Sequence, residues 1–223
     1  TWCMIPSAVS VDVICTTEVD FIIIDLEHGL ISDETVQQMV FSAKARNKFP
    51  IIRVPDISHV AIQKALETGC KAVLVPHVSS KSQAKHVVEA SRYPPLGKRG
   101  LSPYTNCHNY SHIELDKSLK KHAEETFVGI LVEGKDGIKN LKEIVKTKGL
   151  DLVYLGLYDI SLSVGHPGEF DHPLVKSAII ECKSIISSEG VFAGIFTRDN
   201  IGLQYSKDNK FDFIAHGADS MAL

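Results

Sequence analysis

Short apolar runs alternate along the chain with stretches whose apolar residues recur at helical spacing. The runs fall at Trp2–Ile5, Phe21–Ile24, Ile51–Val54, Ala72–Val75, Phe127–Val132, Leu152–Leu155, Val191–Ile195 and Phe213–Ala215. Most are apolar at successive rather than alternate positions, as in parallel strands buried on both faces. Between them, Ser32–Asp33 precede Glu34–Ala45, where Val36, Met39, Val40 and Ala43 repeat at helical spacing. Ser58 precedes Val60–Glu67 and Gly69 stops it. Ser80–Ser82 open a helix that runs to about Ser91, ahead of Pro94–Pro95. Asp136–Lys146 and Leu174–Ser188 read as two more, the second with Pro173 in its first turn, and Asp199–Asn200 cap a short one.

Strand and helix in alternation predict βα units and a parallel sheet. Eight strands leave a closed barrel or an open doubly wound sheet. No GxGxxG or Walker loop is present, which removes the usual marks of the nucleotide-binding open sheets. The expectation is therefore α/β, a (β/α)8 TIM barrel in one domain over residues 1–223, its last helix lacking or swapped. The segment Tyr93–Lys121, rich in Pro, Gly, Asn, His and Tyr, breaks the rhythm and reads as a functional loop.

Bulk properties narrow the function classes. The formal net charge is −3 with the two signs interspersed, which gives no footprint for nucleic acid or an anionic membrane. The five cysteines form neither a CxxC pair nor a zinc spacing, as in a cytoplasmic protein with reduced thiols. No apolar run is long enough to span a bilayer, and no secretory signal is evident.

Chemistry in such a barrel sits at the carboxyl ends of the strands. There the sequence places Asp25 and His28, Arg53, Glu133, and Asp159. Two carboxylates suit a hard divalent cation such as Mg2+ or Mn2+. An arginine suits a carboxylate or a developing enolate oxygen. A histidine near an aspartate suits general-base work, with the aspartate orienting the imidazole. Taken singly, each has a bland reading as an ion pair, a cap or a packing residue; their convergence on one face favours function.

The segments Phe21–His28, Ile51–Pro55, Ala72–Pro76, Ser91–Gly100, Val132–Glu133, Gly156–Ser161 and Gly165 through Pro173 together resemble the HpcH/HpaI aldolases, class II pyruvate-dependent enzymes, over nearly the whole chain. The resemblance implies a metal on Glu133 and Asp159 (Mg2+ or Mn2+, with Co2+ a further candidate). It implies His28 as general base with Asp25 as its partner, and Arg53 on the carbonyl or enolate oxygen. It puts the carboxylate of a 2-oxo acid such as pyruvate on the backbone of Gly156, Leu157 and Tyr158, with an aldehyde as co-substrate. It implies a homohexamer with swapped C-terminal helices, and an acidic residue, here Glu67, near a neighbouring subunit's site.

Three departures bear on the substrate. Gly-Leu-Tyr stands before Asp159 where the family often has Gly-Pro-small, Leu131 replaces a glutamine, and the 101–121 segment is unlike the family's. His108 and Tyr110 in that segment either line the pocket or lie on the surface, the second being the preferred reading. Lys71 begins its strand rather than ending it, which argues against a Schiff base. Two alternatives stay open: an aldol-type citrate synthase or CoA-ester lyase on the same barrel, and a silent carboxylate-binding barrel.

Overall fold

The computed structural model describes residues 1–222. Eight parallel strands form one sheet in chain order: β1 Trp2–Cys3, β2 Phe21–Asp25, β3 Phe49–Arg53, β4 Ala72–Val75, β5 Phe127–Val132, β6 Leu152–Leu155, β7 Phe192–Thr197 and β8 Phe213–His216. A doubly wound sheet would reverse its strand order at a switch point. This one does not, and its two edges meet. Trp2 bridges Ala218 in parallel, and the Trp2 N–H donates to the Gly217 carbonyl at 3.1 Å. The molecule is a TIM-type barrel.

Strand alternation divides the core into two layers. Ile23, Ile51, Leu74, Leu131, Leu152 and Tyr154 fill the interior of the barrel with Trp2. Their neighbours Ile22, Ile24, Ile52, Val73, Val75, Ile130 and Val153 point outward against the helices. Each such fully buried side chain contributes about 1.5–3 kcal/mol. Both faces being covered is what made the strands legible as unbroken apolar runs.

The helices are α1 Ala8–Ile14, α2 Asp33–Ala45, α3 His59–Glu67, α4 Lys81–Ser91, α5 Leu115–Glu125, α6 Gly134–Ile144, α7 Leu157–Ser163, α8 Pro173–Ser188 and α9 Asn200–Asp208. Ser32, Ser58 and Ser80 cap α2, α3 and α4 by accepting from the backbone N–H three residues on. Three helices escape the periodicity. The short α1 buries only Val11, α5 buries no residue, and α7 spans seven residues. β1 is shorter than Trp2–Ile5 because the Asp219 carboxylate takes the N–H groups of Met4 and Ile5 that a strand partner would need. Among the described residues no helix is long and apolar enough to cross a membrane.

Tyr93–Lys121 is not an unbroken irregular loop, and Tyr104–Asn106 and Tyr110 line an outer groove instead of the mouth. The segment holds a 3-10 turn at Asn106–His108 and the start of α5, and none of it lines the barrel mouth. His108 is not a surface residue. It is 4% exposed, with Nε2 2.9 Å from the Tyr93 hydroxyl and Nδ1 2.7 Å from the Ser118 hydroxyl. Tyr110 is exposed, as preferred.

Burial, and then the charges of His122 and Arg99, lower the His108 pKa from 6.5 to about 4. The unfolded chain therefore binds this proton at a higher pH than the folded one. The stabilisation is full above 6.5 and is lost as pH falls through about 4. Urea unfolding across this window is expected to show a flatter acid limb in His108→Gln. His122, whose pKa burial also lowers, supplies part of the slope that remains.

Candidate active site

β2 and β3 end in register, Asp25 opposite Arg53. Their side chains meet fork to fork, Nε to Oδ1 at 2.8 Å and Nη2 to Oδ2 at 2.5 Å. Asp25 is wholly buried and Arg53 is 9% exposed. The guanidinium also contacts Glu27 Oε2 through Nη1 at 2.9 Å and lies 4.4 Å from the centre of the Trp2 ring. The groups that fix Arg53, at the end of β3, thus come from β1 and from the end of β2 with the turn after it.

Asp25 has a different part from the one expected. Its Oδ1 accepts from the backbone N–H of Glu27 at 3.0 Å and of His28 at 3.3 Å, so it shapes the turn after β2. Its carboxylate is occupied by Arg53 and these amides, and the His28 imidazole is not among its partners. His28 stands exposed at the cavity wall.

Glu133 follows β5, and Asp159 lies in the first turn of α7, after β6. Gly156 sits between them. A Cβ there would meet Glu133 Cβ at 3.0 Å, Glu133 Oε2 at 3.4 Å and Asp159 Oδ2 at 3.5 Å. Both carboxylates therefore face the space above Gly156, where a side chain would crowd them. Burial raises the Glu133 pKa above the ordinary carboxylate value, and the charges of Asp159 and Glu27 add to the shift. The His77 N–H and ring oppose it. Two partly buried acids turned toward one space, all-oxygen donors and an open side fit a divalent cation.

These groups border a cavity of about 440 Å³ at the carboxyl ends of the strands. Asp25, His28, Arg53, Glu133, Gly156, Leu157, Tyr158 and Asp159 all line it. Leu157 packs into the outer core, while Tyr158 stands 62% exposed on the rim, edge-on to Phe170. Leu131 and Tyr154 form part of the apolar floor. Among the described residues no lysine lines the cavity, and Lys71 is ion-paired with Glu125.

Glu67 is not brought to this mouth. It ends α3, accepts from Gln63 at 3.0 Å, and lines a groove of about 600 Å³ on the outer wall, between α2, α3 and residues 104–110. That groove is the larger of the two, but no strand ends in it. Size alone does not mark the chemistry.

Sequence reasoning missed Glu27 and His77, and also Trp2 and Arg198 on the cavity lining. His77 follows Pro76 immediately after β4, so the strand-end rule itself points to it. Its ring joins two acids, Nε2 lying 2.7 Å from Glu27 Oε1 and Nδ1 2.8 Å from Glu133 Oε1. Trp2 was read only as strand, and its place under Arg53 has no local signal.

The model of the HpcH/HpaI aldolase/citrate lyase family matches residues 2–223. The chain belongs to this family. Its HpcH/HpaI relatives include a hydroxypyruvate/pyruvate aldolase from Roseobacter denitrificans, 31% identical over 98% of this chain and 85% of the relative. A 2-keto-3-deoxy-L-rhamnonate aldolase from Salmonella gallinarum is 30% identical over 99% of this chain and 82% of its own. Among solved HpcH/HpaI-like barrels, the citrate synthase SbnG superposes with a TM-score of 0.88 at 27% identity, covering 99% of this chain and 86% of that one.

Proposed function

We propose that this chain is a divalent-metal-dependent carbon–carbon lyase, a class II aldolase that interconverts a 4-hydroxy-2-oxo acid with pyruvate and an aldehyde. The observation that carries the reading is the convergence of Arg53, His28, Glu133 and Asp159 on one lysine-free cavity. Aldolase relatives over nearly the full chain support it.

A divalent cation held by Glu133 and Asp159 supplies, when bound, Lewis-acid polarisation of the 2-oxo acid carbonyl. Arg53 is fixed on three sides by Asp25, Glu27 and Trp2 and offers its remaining N–H groups to the oxygen that gains charge as the enolate forms. In cleavage, His28 takes the proton of the 4-hydroxyl through a water molecule. The C3–C4 bonding pair becomes that of the pyruvate enolate, the aldehyde departs, and the proton held by His28 returns through the same water to C3 to give pyruvate; condensation runs the same steps backward. The backbone of Gly156, Leu157 and Tyr158 holds the substrate carboxylate. Glu67, away from its own cavity, serves a neighbouring subunit in a homohexamer.

The test is pyruvate in D2O followed by NMR. Methyl-proton exchange that depends on Mg2+ or Mn2+ is expected, and it falls sharply in His28→Ala. Absence of exchange with any divalent ion would sink the reading. The likeness to the citrate synthase SbnG favours a second reading, so oxaloacetate with acetyl-CoA belongs in a parallel assay; a citrate product with release of CoA would move the assignment to that branch.

A further inference from the structure

We propose that His77 is a third protein ligand, through Nδ1, to the divalent cation on Glu133 and Asp159. The inference rests on the metal site proposed above and adds a nitrogen donor to its oxygen set.

Three positions coincide. The His77 Nε2 lies 2.7 Å from Glu27 Oε1, so Glu27 is placed to hold the ring proton when Nδ1 gives its lone pair to a cation. Nδ1 is 2.8 Å from Glu133 Oε1, and Glu27, His77 and Glu133 bring one possible ligand atom each within 4.8 Å of one another. The Nδ1–Oε1 spacing matches two ligands of one cation: neighbouring ligand atoms on an ion with bonds of about 2.1 Å stand about 3 Å apart. Glu133 is placed to share, with Oε1 turned to His77 and Oε2 toward Gly156 and Asp159.

The surroundings hold the ring in this pose. The His77 N–H donates to the same Oε1 at 3.0 Å, and the backbone adopts φ +58, costly for a residue with a Cβ. The Glu27 side chain is 10% exposed, and its other oxygen, Oε2, meets Arg53 without hydrogen-bond geometry. A carboxylate that holds the far nitrogen of a ligating imidazole is the common second support of metal-bound histidines. One imidazole among oxygen donors shifts preference from Mg2+ toward Mn2+, Co2+ and Zn2+.

Pulsed EPR on the full chain loaded with Mn2+ tests this without any turnover. The expected result is nitrogen modulation from a coordinated imidazole, lost in His77→Gln and kept in His28→Ala. Titration should show His77→Gln weakening Co2+ binding about tenfold or more, with Mg2+ binding changed far less. Mn2+ that binds, is lost in Asp159→Ala, yet shows no nitrogen modulation in the wild type overturns this inference alone. So does modulation that disappears with His28 instead of His77. A wild-type chain that binds no Mn2+ overturns the metal site itself, and this inference with it.

Discussion

Arg53→Met is expected to lose both stability and activity, and a second substitution separates the two. The guanidinium is the partner of a wholly buried Asp25 and of Glu27. Removing one member of a buried pair costs about 3–5 kcal/mol, because the other charge stays buried. Two backbone N–H groups still reach Asp25, so the loss should sit at the lower end of that range. Loss of the donor facing the enolate oxygen should slow metal-dependent pyruvate exchange by about 10²- to 10³-fold. Arg53→Lys cannot restore the two-pronged contact. In Arg53→Met/Asp25→Leu the buried Asp25 charge is gone, but Glu27 still lacks its cation and two backbone N–H groups lose their acceptor, so urea midpoints should recover only in part while exchange stays low. Recovery of exchange in the double variant would show that Arg53 acts only as the counter-ion of Asp25.

Asp159→Ala is expected to do the opposite: abolish exchange and leave the fold intact. It removes half of the carboxylate pair over Gly156, and with it the polarisation worth several kcal/mol, about a thousandfold in rate. Without the cation, Asp159 raises the Glu133 pKa by like-charge repulsion, so its removal should hold or slightly raise the melting temperature. The paired measurement is exchange under saturating Mn2+ and thermal unfolding in chelator. Full activity of the variant in chelator would end the metal scheme.

Much of this site could be read before the fold was seen, for a physical reason. Strands covered on both faces must be apolar throughout, so Asp25, Arg53, Glu133 and Asp159 stand out at or just beyond the last apolar residue of β2, β3, β5 and β6. Helices with an apolar stripe were equally plain. α5 was not, since it lies on the surface with no buried side chain and leaves no period to find. The 93–121 segment looked functional because its composition is irregular. Several of its polar residues satisfy one another, His108 between Tyr93 and Ser118 and His122 on the Cys107 carbonyl. The pairing of Asp25 with Arg53 was not legible because a neighbour in sequence, His28, competed with a neighbour across the sheet. Strand register decides that contest and is invisible in one strand alone. Glu67 raises a different difficulty: its expected role depends on a second copy of the chain.

The chain has one tryptophan, and it lies beneath Arg53 at the floor of the mouth, with its indole N–H 3.3 Å from the Tyr154 hydroxyl. Its ultraviolet emission therefore comes from a single indole, seated within the cavity where the substrate would react. Any ligand that moves the guanidinium or excludes water there alters the brightness and colour of that signal. The protein thus carries its own optical gauge of occupancy, readable during titration or stopped-flow mixing with no attached dye.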